Sequence, residues 1–296
     1  MGIVIRTYNV GKADCFLIDL DGLQILVDGG YADTMSDIIK SNDLHDLDGI
    51  ILTHIDSDHI SGILKLVEDD LFIKRLSKKD NFFIVFNEYA DYSTISYKQG
   101  VRLRECIEKY PNIKLINVYS RNQEMKIQDR WVIFKCVEKN ISCINEGINS
   151  IVIKFISPTK EILRKFMKNW KRGIANAKVT NESSIVFLLS YQNKNILMTG
   201  DSSTSVFQNK LYELQKLEKI DVIKLPHHGS KNSNNNGIFH LIDKYKCGKV
   251  IVSTKEKDKE LDEKLIKQIE NKIMDKNVIY SYDTNHADKN YTEITL

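Results

Sequence analysis

The chain has 296 residues, a formal net charge of +3 and 42% hydrophobic residues, with three prolines and 14 glycines. That is enough to bury a sizeable core in one large domain or two small ones, and the composition is ordinary for a compact globular protein. It excludes a membrane span, since no stretch reaches about 18 consecutive apolar residues. The mild charge neither requires nor forbids a nucleic-acid partner.

Met1 to Val10 alternates and lacks a basic region followed by an apolar run, so it reads as a strand and not a signal peptide. The strand is Ile3 to Tyr8, and Asn9 to Asp14 is turn-like. Cys15 to Leu20 and Leu23 to Val27 are strands joined at Asp21-Gly22, a strong hairpin signal. The second ends in Asp28-Gly29-Gly30, locally a plain Asp-Gly turn. Asp33 to Lys40 predicts a helix capped by Asp33 or Thr34, and His45 falls in a polar linker as a surface residue.

A short apolar run, Ile50 to Leu52, then reads as a buried strand. It leads into His54, Asp56, Asp58 and His59, four metal-capable side chains within six residues. Apolar residues resume at Ile60, Ile63, Leu64 and Val67 with helical spacing, so the cluster sits on a strand-to-helix loop. Two histidines and two carboxylates on one loop can converge on a point, and a divalent cation satisfies them where burial alone would be costly. An Asp N-cap needs one oxygen and explains neither histidine.

Phe82 to Phe86 is a strand, and Gln99 to Tyr110 an amphipathic helix ended by Pro111. Within this stretch Asp91, Tyr92, Tyr97 and Lys98 could meet a substrate, but nothing local says so and an ordinary loop explains them better. Trp131 to Val137 and Ile151 to Ile156 are strands around a polar turn holding Cys143. Pro158 opens a helix towards Trp170, and strands follow at Ile185 to Leu189, Asn195 to Met198 and Ile220 to Leu225. Thr199-Gly200-Asp201 and Pro226-His227-His228-Gly229-Ser230-Lys231 follow the second and third of these. Lys249 to Ser253 is a strand, the charged run from Lys255 begins a helix to about Lys272, and Val278 to Tyr282 and Tyr291 to Leu296 close the fold. His286 is expected at the surface. Five cysteines in odd number, with no Cys-x-x-Cys, argue for reduced thiols in the cytoplasm and against a thiolate zinc knuckle. Composition alone supports only a mixed α/β domain.

His-x-Asp-x-Asp-His followed by Gly62 resembles motif two of the metallo-β-lactamase superfamily, whose commoner form has His for the first Asp. The Asp at 56 and the Pro-His-His-Gly-Ser run are similar to the branch that includes the hydrolase domain of the competence protein ComEC. The resemblance implies a single domain over residues 1–296, an α/β four-layer αββα sandwich, with an insertion at about 87–119 shaping the substrate cleft. It implies two divalent metal ions, Zn²⁺ or Mn²⁺, an oxygen-rich set suiting either. His54 and Asp56 would serve one ion, Asp58, His59 and His227 the other, and Asp201 would bridge them. Asp28 would support the metal loop, Asn181 and Ser184 would stand where zinc hydrolases place a third histidine, and Ser230 would sit near a phosphate. Asp58 would orient the nucleophile, with His228 and Lys231 stabilising charge on phosphoryl oxygens. The order of His227 and His228 stays open, because adjacent residues of an extended backbone point in different directions. The later His-Pro of family members has no counterpart in Thr254 to Lys257.

The implied activity is a two-metal phosphodiesterase or nuclease acting on DNA or RNA. The alternatives are a hydrolase of a small phosphoester, thioester or lactone, and a catalytically weak regulatory subunit working with a partner protein. No membrane association is expected, and a homo-oligomer is left open.

Overall fold

The computed structural model describes residues 2–41, 43–44, 46–87, 95–118, 123–128, 131–136, 150–172, 174, 176–214, 216–234, 236–256, 258–259, 261–273, 277–283 and 290–296. His45, Asp91, Tyr92, Cys143 and His286, and the side chain of Tyr97, lie outside them.

The first sheet is built from β1 (Ile3–Tyr8), β2 (Phe16–Leu20), β3 (Leu23–Val27), β4 (Leu47–Ile51), β5 (Phe83–Val85), β6 (Lys114–Ile116) and β15 (Tyr291–Thr295), in the order β15-β1-β2-β3-β4-β5-β6. The second contains β7 (Gln123–Gln128), β8 (Trp131–Cys136), β9 (Ile151–Ser157), β10 (Val186–Tyr191), β11 (Lys194–Met198), β12 (Val222–Lys224), β13 (Lys249–Val252) and β14 (Val278–Tyr280), in the order β14-β13-β12-β11-β10-β9-β7-β8. Both sheets change from antiparallel to parallel pairing partway across, at β3 and β4 in one and at β11 and β12 in the other.

Period-2 patterning explains how the sheets stack. In β2 and β3, Phe16, Ile18, Leu20, Ile25 and Val27 face an apolar layer shared with Phe187, Leu189, Ile196 and Val222 of the other sheet. The intervening Leu17 and Leu26 face the opposite way, towards α1 (Ala32–Lys40), α2 (Ser57–Val67), α3 (Asp70–Leu76) and α4 (Ile95–Ile107). Val186, Leu188, Leu197 and Ile223 likewise face away from the first sheet, towards α7 (Thr204–Tyr212), α8 (Asn236–Lys244) and α9 (Glu263–Ile273). Three apolar layers therefore separate four layers of structure, helix, sheet, sheet, helix, as expected. Two more helices, α5 (Lys160–Lys171) and α6 (Ala177–Glu182), lie between β9 and β10 in the chain, and Phe166 and Val179 reach the first helical layer.

Several boundaries differ from expectation, α4 among them, which runs Ile95–Ile107 instead of Gln99 to Tyr110. The last helix starts at Glu263 instead of Lys255, because Asp262 caps it through its carboxylate to Leu265 N and its own amide is tied to Gly229 O. The first starts at Ala32 with Tyr31 at the N-cap, so neither Asp33 nor Thr34 caps it. α3, α6, α7, α8, β6 and β7 were not expected. These helices run six to nine residues, too few turns for a periodic signal to stand out.

The loops after β3, β4, β11, β12 and β13 all leave the carboxyl ends of strands in the parallel parts of the sheets, where open α/β sheets place ligands. α2 is drawn onto the β3 loop by backbone bonds from Gly29 N to His59 O and from Gly62 N to Gly30 O, both 2.9 Å. Among the described residues no helix is long and apolar enough to cross a membrane.

Candidate metal centre

Asp28 follows β3 in the left-handed region, with φ 56°. Its fully buried carboxylate accepts from Thr53 N and Thr53 Oγ1, each 2.7 Å, and lies 2.8 Å from His59 Nδ1. Because Thr53 spends its hydroxyl proton on Asp28, its oxygen must accept from His54 Nδ1, 3.1 Å away. The carboxylate likewise fixes the His59 proton on Nδ1. His228 Nδ1 faces the carbonyl of Ser253 at 3.0 Å, and a carbonyl can only accept. All three rings are thus held as Nδ1–H tautomers, which leaves the Nε2 lone pairs available.

Those three Nε2 atoms are buried and make no hydrogen bond, and Asp201 Oδ1 is in the same condition. His59 Nε2 lies 3.4 Å from Asp201 Oδ1 and 3.8 Å from Asp58 Oδ2. His228 Nε2 lies 3.4 Å from Asp58 Oδ2 and 3.5 Å from Asp201 Oδ2. Donor atoms of Asp58, His59, Asp201 and His228 all lie within 4.8 Å of one another. Two donors each about 2.1 Å from a tetrahedral ion stand about 3.4 Å apart. Two imidazole nitrogens and two carboxylates at this spacing therefore fit a divalent cation.

His54 Nε2 approaches Asp56 Oδ2 at 3.8 Å. Asp56 occupies the N-cap of α2, yet its side chain makes no capping bond, so helix capping does not account for it. With its amide turned so that the nitrogen faces the two acceptors, Asn181 of α6 donates to Asp56 Oδ2 at 3.0 Å and to Ala177 O at 2.9 Å. Ser184 Oγ accepts from Asp201 N at 3.2 Å. The turn before Asp201 is tight, since a Cβ on Gly200 would meet Thr53 and Ser184 side chains at 3.0 Å.

The electrostatics reflect crowded carboxylates around buried rings. Burial lowers the basicity of His59 and His228, but the surrounding carboxylates together outweigh it, Asp201 first, then Asp28 for His59 and Asp14 for His228. His59 ends well above an ordinary histidine and His228 rises to about 9. Burial and the neighbouring His59 push His54 down to about 3. Burial and Asp58 lift Asp56 to about 7. Asp201 is held well below the usual carboxylate range: burial raises it, and His228 and His59 more than reverse that. Protons on His59 and His228 are what balance the carboxylates when no cation is bound.

Of the expected site residues, the structure brings together His54, Asp56, Asp58, His59, Asp201, Asp28, Asn181 and Ser184. It exchanges the two adjacent histidines. His228 is 2% exposed and joins the donor cluster, whereas His227 sits at the rim with its side chain 29% exposed. His227 Nε2 is 3.6 Å from Asp201 Oδ2 and its Nδ1 is 3.1 Å from Ser233 Oγ. Ser230 is buried and pairs through its backbone with Leu261, and Lys231 is exposed outside the cluster. Asp14, Lys224 and Ser253 were missed. A lysine within Val222-Ile223-Lys224-Leu225, an otherwise apolar strand end, was the signal that could have found one of them.

Residues 8–96 match the family model of the Metallo-beta-lactamase superfamily, a span that includes Asp14, Asp28 and His54 to His59. Solved structures extend the likeness to the whole chain. The metallo-beta-lactamase fold protein YhfI from Bacillus subtilis is 13% identical, with a TM-score of 0.51 over 99% of this chain and 100% of that one. Human tRNase Z, short form, is 11% identical, with a TM-score of 0.51 over 98% of both chains. A diphosphatase from the PhnP family is 11% identical, with a TM-score of 0.51 over 99% of this chain and 98% of that one. No curated protein sequence matches the chain at a significant level. At these identities the likeness is one of fold: the two sheets and flanking helices have the metallo-β-lactamase architecture.

Proposed function

We propose that this chain is a metal-dependent hydrolase that cleaves phosphodiester bonds in nucleic acid with two divalent ions, Zn²⁺ or Mn²⁺. The observation that carries the reading is the set of three imidazoles with committed Nδ1 protons and orphaned Nε2 atoms facing shared carboxylates. Asp58, His59 and His228 would hold one ion, His54 and Asp56 the other, and Asp201 would stand between them. Charge supports two ions. Asp14, Asp28, Asp56, Asp58 and Asp201 surround the site, and Lys224 is the one fully buried lysine among the described residues. With neutral imidazoles this leaves four negative charges, which two divalent ions would cancel.

Divalent ions held by these residues would supply Lewis acidity, acidifying water and drawing charge from phosphoryl oxygens. The side chains divide the remaining work by exposure. Asp58, 25% exposed, can accept a proton from an attacking water while its other partners stay buried. His227 at the rim can hydrogen-bond a phosphoryl oxygen or the leaving group. Asn181 keeps Asp56 in place. Cleavage at phosphorus is favoured by two of the fold neighbours, named as a tRNase and a diphosphatase. The ComEC-type pattern of Asp56 and Pro226 to Ser230 points to nucleic acid, and the unpaired Cys15, Cys106 and Cys247 fit a reducing cytoplasm.

Metal loading, metal content and hydrolysis test this. Loading the metal-stripped protein with Mn²⁺ or Zn²⁺ at about a hundred times its Kd should add about 2.7 kcal/mol per ion, which for a chain of this length raises the melting temperature by about 4 °C per ion. EDTA should reverse the shift, and an unchanged melting curve would count against a bound ion. Elemental analysis should find two ions per chain, with hydrolysis of bis-p-nitrophenyl phosphate and of single-stranded DNA or RNA. The Asp58→Ala/His59→Ala variant should lose activity by on the order of a thousandfold or more. Nucleic-acid binding that weakens as salt rises supports a nuclease. Hydrolysis of the small ester alone, indifferent to salt, would redirect the search to small phosphoesters. Absence of both metal and activity would leave a partner-dependent subunit.

A further inference from the structure

Behind the donor cluster lies a second set of charged groups that the proposed chemistry does not use. Lys224, in β12, is 0% exposed, and its Nζ lies 2.5 Å from Asp14 Oδ2, 2.9 Å from Gly200 O and 3.6 Å from Asp201 Oδ1. Asp14, from the loop between β1 and β2, is 1% exposed. Its Oδ1 accepts from Ser253 Oγ and lies 3.3 Å from His228 Nδ1, and its Oδ2 is 3.9 Å from His59 Nδ1. The contacts close into a ring: Asp201 to Lys224, Lys224 to Asp14, Asp14 to His228, and His228 back to Asp201.

We infer that Asp14 and Lys224 are a buried positioning pair for the metal centre, the carboxylate fixing His228 and the ammonium fixing Asp201. The inference rests on the metal-centre reading above. Sheet stability alone does not explain the pair. Residues 222, 223 and 225 beside Lys224 are all fully buried apolar side chains, and an apolar side chain there would avoid desolvating an ammonium. Instead the ammonium touches two residues of the Gly200-Asp201 turn and the carboxylate that backs His228. The pair also settles the charge of the inner group formed by Asp14, Asp28 and His59, whose donor atoms lie within 4.8 Å of one another. Lys224 stands against Asp14 on one side, and Thr53 and His59 occupy Asp28 on the other. The cation of that inner group is the chain's own ammonium.

The test is the double variant Asp14→Asn/Lys224→Met, which removes both charges together, compared with the parent and with Lys224→Met alone. The double variant should melt within a few degrees of the metal-free parent, since replacing both members of a buried pair is often near neutral, while Lys224→Met alone should melt much lower. Its affinity for Mn²⁺ should nonetheless fall about 10- to 100-fold, the range for loss of a residue that orients a ligand. Co²⁺ substitution should show a changed visible absorption spectrum, a readout that a purely structural role would leave alone. Parent-like Mn²⁺ affinity and Co²⁺ spectrum in the double variant would overturn the inference and leave the metal-centre reading standing. A parent that takes up no ion would overturn both. Should the double variant not fold, Ser253→Ala keeps both charges and removes one support of Asp14. It should weaken Mn²⁺ binding about 10-fold, the low end of that range, and unchanged binding would again overturn the inference.

Discussion

Gly62→Ala is expected to leave a protein that is largely unfolded, or that folds without holding its metal loop. A Cβ at position 62 would lie 1.9 Å from Gly29 O and 2.5 Å from Gly29 C. The reciprocal contact is as close, with a Cβ on Gly29 falling 2.4 Å from Ile63 N. Both obstacles are backbone, so no rotamer change relieves them. The helix would have to back away from the β3 loop, breaking the bonds from Gly29 N to His59 O and from Gly62 N to Gly30 O. Two lost buried hydrogen bonds and the disrupted packing of Ile60, Ile63 and Leu64 should cost about 4 kcal/mol or more. Since α2 begins at Ser57 and carries Asp58 and His59, any surviving folded protein should bind Mn²⁺ poorly. Thermal unfolding followed by circular dichroism decides it. A melting temperature within about two degrees of the parent, small against the shift that such a cost implies, would show that the helix can retreat easily.

Asp28→Asn and Asp28→Ala should separate metal affinity from stability. Alanine removes an acceptor shared by Thr53 N, Thr53 Oγ1 and His59, leaving a buried amide and ring unsatisfied. The expected cost is about 3–5 kcal/mol. Asparagine keeps the shape and can still accept from Thr53 N, but its amide also presents a donor to the pair of groups that need an acceptor. If it faces His59, the ring proton moves to Nε2 and the lone pair turns away from the donor cluster. The Asp28→Asn variant should therefore cost under about 2 kcal/mol in stability while weakening metal binding about 10- to 100-fold. The two are measured by chemical unfolding of the stripped protein and by calorimetric titration with Zn²⁺. Equal metal affinity in parent and Asp28→Asn would show that Asp28 serves the turn alone.

How much of this was legible in the sequence depends on the range of the determining interaction. The long strands carried strict alternation, as in Phe16, Ile18 and Leu20 against Leu17, and were readable because each face meets a different layer. The loop from His54 to His59 was readable because its donors crowd into one short segment. The order of His227 and His228 was not, because the rule for adjacent residues on an extended chain does not apply there. Both adopt left-handed backbone, with φ 46° and 55°, in a tight kinked turn between Pro226 and Gly229. Their side-chain directions come from that turn and from the carbonyl of Ser253, which local sequence does not reveal. Asp14 and Lys224 were hidden for a related reason. Each is an isolated charge in its own segment, and their significance comes from a contact between opposite halves of the chain.

The donor cluster is drawn from both sheets, with His54 to His59 following β4 and Asp201 and His228 following β11 and β12. During synthesis on the ribosome the first loop emerges long before the strands that supply the others. The two early carboxylates and two histidines are an incomplete set, and Thr53 O waits for the amide of Ile185 to lock the halves together at 2.9 Å. On the reading proposed above, full-affinity metal uptake would belong to the end of maturation, after both sheets have docked. An ion acquired then would act as a clasp between the first-made and last-made parts of the molecule.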